Sequence, residues 1–250
     1  MDIEKLVDEV TREVGPLLTG SGKHEKPGVK PWEILSRFEH SLLNPDAGLE
    51  KVMAECAVAR RYPVAAICVA PYYVPMAKEA LRGRGVKVCA AIGFPHGCMS
   101  ALAKLVEAVD CMKNGADELD VAVNILAVKS GRMADARNDL EQITAAARGR
   151  AVVKAVFEHS VYSDEEKKSV LEMAGACGVD YVKIQNFLSG KGADAEDIMY
   201  VKRILGGDVK IKIDGGVKTV AKALELFAAG ADRIGLTATA AISEEAEAKR

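Results

Sequence analysis

In Tyr181 to Gln185 aliphatic and polar residues alternate, so that Val182 and Ile184 fall on one face of a strand and Lys183 and Gln185 on the other. Val209 to Asp214 repeats the pattern, with Val209, Ile211 and Ile213 on one face and Lys210, Lys212 and Asp214 opposite. Such segments alternate with stretches of helical spacing at intervals of roughly 20 to 35 residues, the signature of repeated βα units. The predicted strands are Leu35 to Ser41, Ala65 to Ala70, Lys87 to Ile92, Glu118 to Val123, Val152 to Phe157, Tyr181 to Gln185, Val209 to Ile213 and Arg233 to Thr237. The predicted helices between them are Leu49 to Arg61, Val74 to Arg84, Ser100 to Asn114, Met133 to Arg148, Asp164 to Cys177, Ala195 to Leu205 and Val220 to Ala229. This order predicts an α/β chain folded as a single (β/α)8 TIM barrel. An open doubly wound sheet is the competing fold, but it gives no reason for inward lysines on adjacent strands.

Ahead of the barrel, Ile3, Leu6, Val7, Val10 and Val14 share one helical face, which predicts an N-terminal helix over residues 1–14 that caps the bottom of the barrel. Gly15-Pro16 ends it, and residues 15–32, rich in Gly, Lys, Ser and Pro, read as a connecting segment. The barrel is expected over 33–242, with 243–250 as a tail. Composition adds exclusions. Lys plus Arg number 34 against 36 Asp plus Glu, and a net charge of -2 gives no electrostatic case for nucleic acid or an anionic membrane as partner. No run of about 18 apolar residues occurs, so no membrane span is expected. The six cysteines, Cys56, Cys68, Cys89, Cys98, Cys111 and Cys177, form no CxxC pair and read as core residues of a reduced, cytoplasmic protein.

Chemistry in such a barrel sits where the strands end. Glu39 and His40, Pro95-His96-Gly97, Asp120 and Asn124, Lys154 and Glu158, Lys183, and Lys212 with Asp214 all fall there. Buried amines and carboxylates are costly, and their clustering points to a site. Desolvation and a neighbouring amine both lower a lysine pKa, and a neutral lysine attacks a carbonyl to form a Schiff base. The expected catalytic residues are Lys183, Lys212 and Asp120. Asp120 points inward because Leu119, Val121 and Val123 take the other face.

From Phe38 to Gly235 the chain resembles the deoxyribose-phosphate aldolases. The likeness runs through Glu39-His40-Ser41-Leu42-Leu43, Ala66-Ile67-Cys68-Val69, Gly93-Phe94-Pro95-His96-Gly97 and Gly115-Ala116-Asp117-Glu118-Leu119-Asp120. It continues through Lys129-Ser130-Gly131, Val153-Lys154 with Glu158, Tyr181-Val182-Lys183, and Lys212 before Gly215-Gly216-Val217-Lys218-Thr219. The resemblance implies a class I aldolase that needs no metal or other cofactor, acts on small aldehydes and sugar phosphates, and forms a homo-oligomer. Lys183 would carry the imine, Lys212 would lower its pKa, Asp120 would move protons and Lys154 would orient Asp120. Gly215, Gly216, Asn186, Gly235, Thr237 and Cys68 would line the substrate and its phosphate.

Three departures fall on the phosphate handle. Where the family has Thr-Ser-Thr-Gly-Phe after the Schiff-base lysine, this chain has Ile184-Gln185-Asn186-Phe187-Leu188. A small residue before the glycine pair is replaced by Asp214, and a serine pair appears as Thr237-Ala238. An aldolase with a different, non-phosphorylated acceptor is therefore an alternative expectation. Two others remain: a metal-dependent aldolase using His40, His96 and His159 with Glu39 and Glu158, and a barrel that binds without catalysis.

Overall fold

The computed structural model describes residues 30–186, 188–192 and 194–249. The predicted N-terminal helix, most of the connecting segment and Phe187 lie outside these residues. From Pro31 onward the chain forms a closed barrel of eight parallel strands in sequence order. The strands are β1 (Phe38–Leu42), β2 (Ala66–Val69), β3 (Lys87–Ile92), β4 (Glu118–Ala122), β5 (Val152–Glu158), β6 (Tyr181–Gln185), β7 (Lys210–Asp214) and β8 (Arg233–Leu236). The helices are α1 (Leu49–Arg61), α2 (Val74–Ala80), α3 (Ala101–Lys113), α4 (Ile125–Lys129), α5 (Met133–Ala147), α6 (Asp164–Ala176), α7 (Ala195–Leu205), α8 (Val220–Ala229) and α9 (Thr239–Glu247).

Four differences from the sequence reading go beyond a single residue at an element's end. The first predicted strand begins inside a 3-10 helix, Pro31–Arg37, in which Ile34 and Leu35 are both buried, so two adjacent apolar residues face the core where a strand would bury one. The helix predicted from Val74 stops at Ala80 rather than Arg84, because Gly83 and Gly85 take positive φ. The short α4 follows an Asn124 cap whose side chain accepts from Ala127 N–H. The predicted tail is mostly helical: α9 crosses the expected boundary at 242 and buries Ile242, Ser243 and Ala246.

The main apolar core lies between the strands and the helices, where Val182, Ile184, Ile211, Ile213, Leu119 and Val121 meet α-helical side chains. Among the described residues a small separate apolar cluster lies inside the barrel, Cys68, Cys89 and Ala91 with Leu43 and Phe94 packed on it. Beside it the interior holds the buried charged residues Glu39, Glu118, Asp120, Lys154, Lys183 and Lys212. Register is fixed by this division, since a shift of one residue would exchange the two faces. A recurring device pins it at the bottom. Gly115-Ala116-Asp117, Gly178-Val179-Asp180 and Gly230-Ala231-Asp232 precede β4, β6 and β8. In each the aspartate accepts a backbone N–H from the preceding strand: Val88 at 2.9 Å, Val153 at 2.8 Å and Ile211 at 2.8 Å. Helix starts are similarly sequence-encoded, with capping boxes at Ser163 and Asp194 and a Thr219 cap on α8.

Candidate active site

The pairing register sets Lys183 opposite Lys212, Asp120 opposite Lys154, Cys68 opposite Cys89, and Asp214 opposite Gly235. Asp120 is fully buried at the centre. Its Oδ1 accepts from Lys154 Nζ at 3.0 Å and Cys89 Sγ at 3.1 Å, and its Oδ2 accepts from Lys212 Nζ at 2.8 Å and from Cys68 Sγ at 3.7 Å. Lys183 Nζ lies 2.9 Å from Asp120 Oδ2 and 2.6 Å from Asp214 Oδ2, yet neither contact has the direction of a hydrogen bond. Lys154 and Lys212, by contrast, donate to their carboxylates. Lys212 reaches Glu39 Oε2 at 2.6 Å, and Lys154 reaches Glu118 Oε2 at 2.6 Å. Arg233 closes the deeper layer on Glu39 Oε1 at 2.9 Å and Glu118 Oε2 at 2.6 Å.

Arg233, Glu118 and Cys89 were not singled out from the sequence. Their signal was available in strand parity, since Glu118 and Arg233 lie two residues below Asp120 and Gly235 on the same inward face. Lys210 shows that parity alone does not place a residue in the site. It shares the parity of Lys212 but begins β7 and is exposed, with Nζ over the Tyr181 ring.

Electrostatics follow from this packing. Burial and the facing Lys212 pull the Lys183 pKa down, but Asp120 and Asp214 outweigh them and raise it above the ordinary lysine value. The expected neutral amine is thus corrected: two amines were counted from the sequence, while the carboxylates between them decide the sign. Lys154 and Lys212 are raised for the same reason, carboxylate neighbours overriding burial. Burial pushes Asp120 up, but Lys154, Lys183 and Lys212 together hold it well below the usual carboxylate range. Burial raises the Cys89 thiol, helped by Cys68, so it remains a donor to Asp120.

Glu39 allows a quantitative check. Burial opposes its ionisation, yet Lys154 and Lys212 hold the carboxyl at about 2. A carboxyl lowered on folding adds stability that is complete above its unfolded pKa and is lost as pH falls towards the folded one. The contribution is about 3 kcal/mol, disappearing between about pH 4.5 and about pH 2. Urea titrations at about pH 7 and about pH 3 are expected to show a lower midpoint in acid, with Glu39→Gln reducing the difference. An unchanged difference in the variant would refute the assignment.

The remaining site candidates are distributed around the mouth. Gly215 and Gly216 take φ of 94° and 76°, and a Cβ on Gly192 would lie 3.0 Å from the Gly215 carbonyl oxygen, so the two loops approach closely. Asn186 Nδ2 donates to Asp197 Oδ2 at 3.3 Å. Thr237 is exposed, and Gly235 lies beneath the Asp214 side chain. Lys191 is 3.7 Å from Asp194. Among the described residues two groups of donor atoms are close enough to hold a cation, Cys68, Cys89 and Asp120, and Glu39, Cys89 and Glu118. Lys154 Nζ already lies among them, 3.4 Å from Cys89 Sγ. Neither group includes a histidine. His40 bridges Thr239 and Glu55, and His159 pairs with Asp197.

An amine sealed from water inside the barrel, faced by a second amine and touching two carboxylates, Asp120 in mid-strand and Asp214 at the C-terminal end of β7, is equipped to form an imine and to move protons beside it. It defines a lysine-dependent aldolase, a lyase. The deoxyribose-phosphate aldolase of Clostridium tetani is 36% identical over 215 residues, 86% of this chain and 100% of that protein. The enzyme of the same name from Staphylococcus carnosus is 38% identical over 201 residues, 80% of this chain and 91% of that protein. Among solved structures, the tetrameric deoxyribose phosphate aldolase of Aeropyrum pernix matches with a TM-score of 0.78 at 28% identity, covering 86% of this chain and 91% of that one. A structure described as QR15, an aldolase, matches with a TM-score of 0.80 at 30% identity, covering 85% of this chain and 95% of the other. No protein-family model matches the chain. The chain belongs to the deoxyribose-phosphate aldolase family.

Proposed function

We propose that this protein is a class I aldolase that reversibly cleaves 2-deoxyribose 5-phosphate, or a related 2-deoxy aldol, to acetaldehyde and an acceptor aldehyde such as glyceraldehyde 3-phosphate. The observation that carries the reading is Lys183: fully buried, opposite Lys212, and the one amine of the cluster without a directed hydrogen bond. It is the least anchored of the three. In the synthetic direction Lys183 gives up a proton, adds to the donor carbonyl and loses water to form an iminium. The iminium draws electrons from the adjacent carbon, whose proton is removed to give an enamine. The enamine adds to the acceptor aldehyde, and hydrolysis frees the product. Lys212 and Lys154 hold Asp120 as a carboxylate beside the imine nitrogen, where it stabilises the cation.

One observation favours a second reading of the acceptor. The Asp214 carboxylate lies next to Gly215-Gly216, the backbone turn suited to a phosphate, and like charges there repel. Lys191 is drawn towards Asp194. The comparison of kcat/KM for 2-deoxyribose 5-phosphate and free 2-deoxyribose decides between the readings. A ratio near one or below supports the non-phosphorylated acceptor, and a preference of about a hundredfold or more for the phosphorylated sugar, worth about 3 kcal/mol, sinks it.

We also infer that the chain self-associates, as the Aeropyrum pernix relative does. Leu102 and Val106, one turn apart on α3, are 69% and 59% exposed and offer an apolar surface. A monomer mass in sedimentation velocity at micromolar concentration would refute this. No helix among the described residues is long and apolar enough to cross a membrane. The six cysteines are free, five of them buried, which supports a reducing cytoplasmic setting.

A further inference from the structure

We propose that Asp214 is the proton-transfer group of the imine chemistry at Lys183, taking and returning the proton of the donor's α-carbon. The inference rests on Lys183 as the imine-forming lysine and adds a residue to that reading. Asp214 Oδ2 is 2.6 Å from Lys183 Nζ, nearer than Asp120 Oδ2 at 2.9 Å. Gly235 makes this placement possible. It is the register partner of Asp214 on β8, and a Cβ there would stand 1.7 Å from Asp214 Oδ1. The carboxylate therefore folds over bare backbone towards the barrel axis instead of out into solvent.

Counting donors separates the two aspartates. A lysine ammonium offers three N–H bonds, whereas an iminium nitrogen keeps one. The single N–H of the iminium can be directed at no more than one of the two carboxylates. Asp120 retains Lys154 at 3.0 Å and Lys212 at 2.8 Å, plus the Cys89 thiol. Asp214 has no such reserve: its Oδ1 lacks a hydrogen-bond partner, and its next cation, Lys212, is 3.8 Å away. Imine formation leaves Asp214 with the iminium charge as its close cation and no directed donor of its own, at the moment an acidic carbon arrives beside it. Its side chain is 15% exposed while that of Asp120 is sealed, so Asp214 faces the side from which substrate enters.

With acetaldehyde bound as CH3–CH=NH⁺–Lys183, the Asp214 carboxylate takes one methyl proton and becomes a carboxylic acid. The C–H electron pair forms the C=C bond of the enamine, and the C=N pair moves to nitrogen. Return of the proton restores the iminium and the carboxylate, so no outside reactant is needed.

The test incubates the full chain with acetaldehyde in D2O and follows methyl exchange by proton NMR, with borohydride trapping and mass spectrometry in parallel. Asp214→Asn is expected to keep the ethyl adduct on Lys183 while exchange slows by about 10²- to 10⁴-fold. In Asp214→Ala, added formate is expected to restore exchange, which a merely structural role would not produce. Wild-type exchange in Asp214→Asn with the adduct intact would overturn the proposal. If Asp214→Asn does not fold, Asp214→Ala decides alone, and lack of any formate effect on a trapped, folded variant counts against Asp214. Absence of any adduct on the unsubstituted protein would instead overturn the aldolase reading, and this proposal with it.

Discussion

Replacement of Lys183 by alanine is expected to lower kcat by about 10⁶-fold, the scale reached when a covalent nucleophile is deleted. The same change is expected to erase the borohydride-trapped adduct. The fold should survive it. Asp120 keeps two ammonium partners when Lys183 is gone, and Asp214, on the mouth side, can turn to solvent. The apolar faces of β6, carried by Val182 and Ile184, are untouched. Circular dichroism and the urea midpoint therefore remain close to those of the parent while activity disappears. An adduct that persists in Lys183→Ala and maps to Lys212 would reassign the nucleophile.

Asp120→Ala is expected to behave differently, losing activity and stability together. Removing this carboxylate leaves Lys154, Lys183 and Lys212 fully buried with their shared counter-charge gone. Breaking a buried ion pair from one side costs roughly 3–5 kcal/mol, because the remaining charge stays desolvated. Glu39 and Glu118 offset part of this, since they already hold Lys212 and Lys154. Urea unfolding gives the loss directly, and Asp120→Asn, which preserves shape but not charge, should fall between parent and Ala. A stability unchanged in Asp120→Ala would show that the three ammonium groups are satisfied without it.

These two expectations draw on different depths of what the sequence exposes. Parity along a strand made Lys183, Lys212 and Asp120 legible as inward residues, because an aliphatic face must cover each strand under the helices. Depth along the barrel axis was not legible. Lys210 has the right parity and the wrong height, and Arg233 sits low enough to close the network beneath the site. Helices with clear caps and apolar faces, such as α7 and α8, are at their predicted residues. The five-residue α4 is too short to show a period, and α9 is rich in Ala and Glu, so its buried face carries few large residues. The sign of the Lys183 pKa depended on distances across four strands, which no local pattern contains. Asp214 illustrates the same limit. Beside Gly215 in the chain it reads as an obstacle to phosphate, while its nearest charged neighbour in space is an amine on another strand.

The ion network inside the barrel has a further consequence when its members are taken as one body. Lys154, Lys183, Lys212 and Arg233 provide four positive charges, and Glu39, Glu118, Asp120 and Asp214 provide four negative ones, so the assembly is neutral. Conversion of the Lys183 ammonium to an iminium leaves that total unchanged. A proton passed from substrate to a carboxylate within the network leaves it unchanged as well, whereas release of the proton to bulk water would strand an excess negative charge in a medium that solvates it poorly. The solvation energy of the interior thus stays level along the reaction so long as the network holds one proton for each hydrogen taken from the substrate, and a swap of that proton for a deuteron from water leaves the balance as it was.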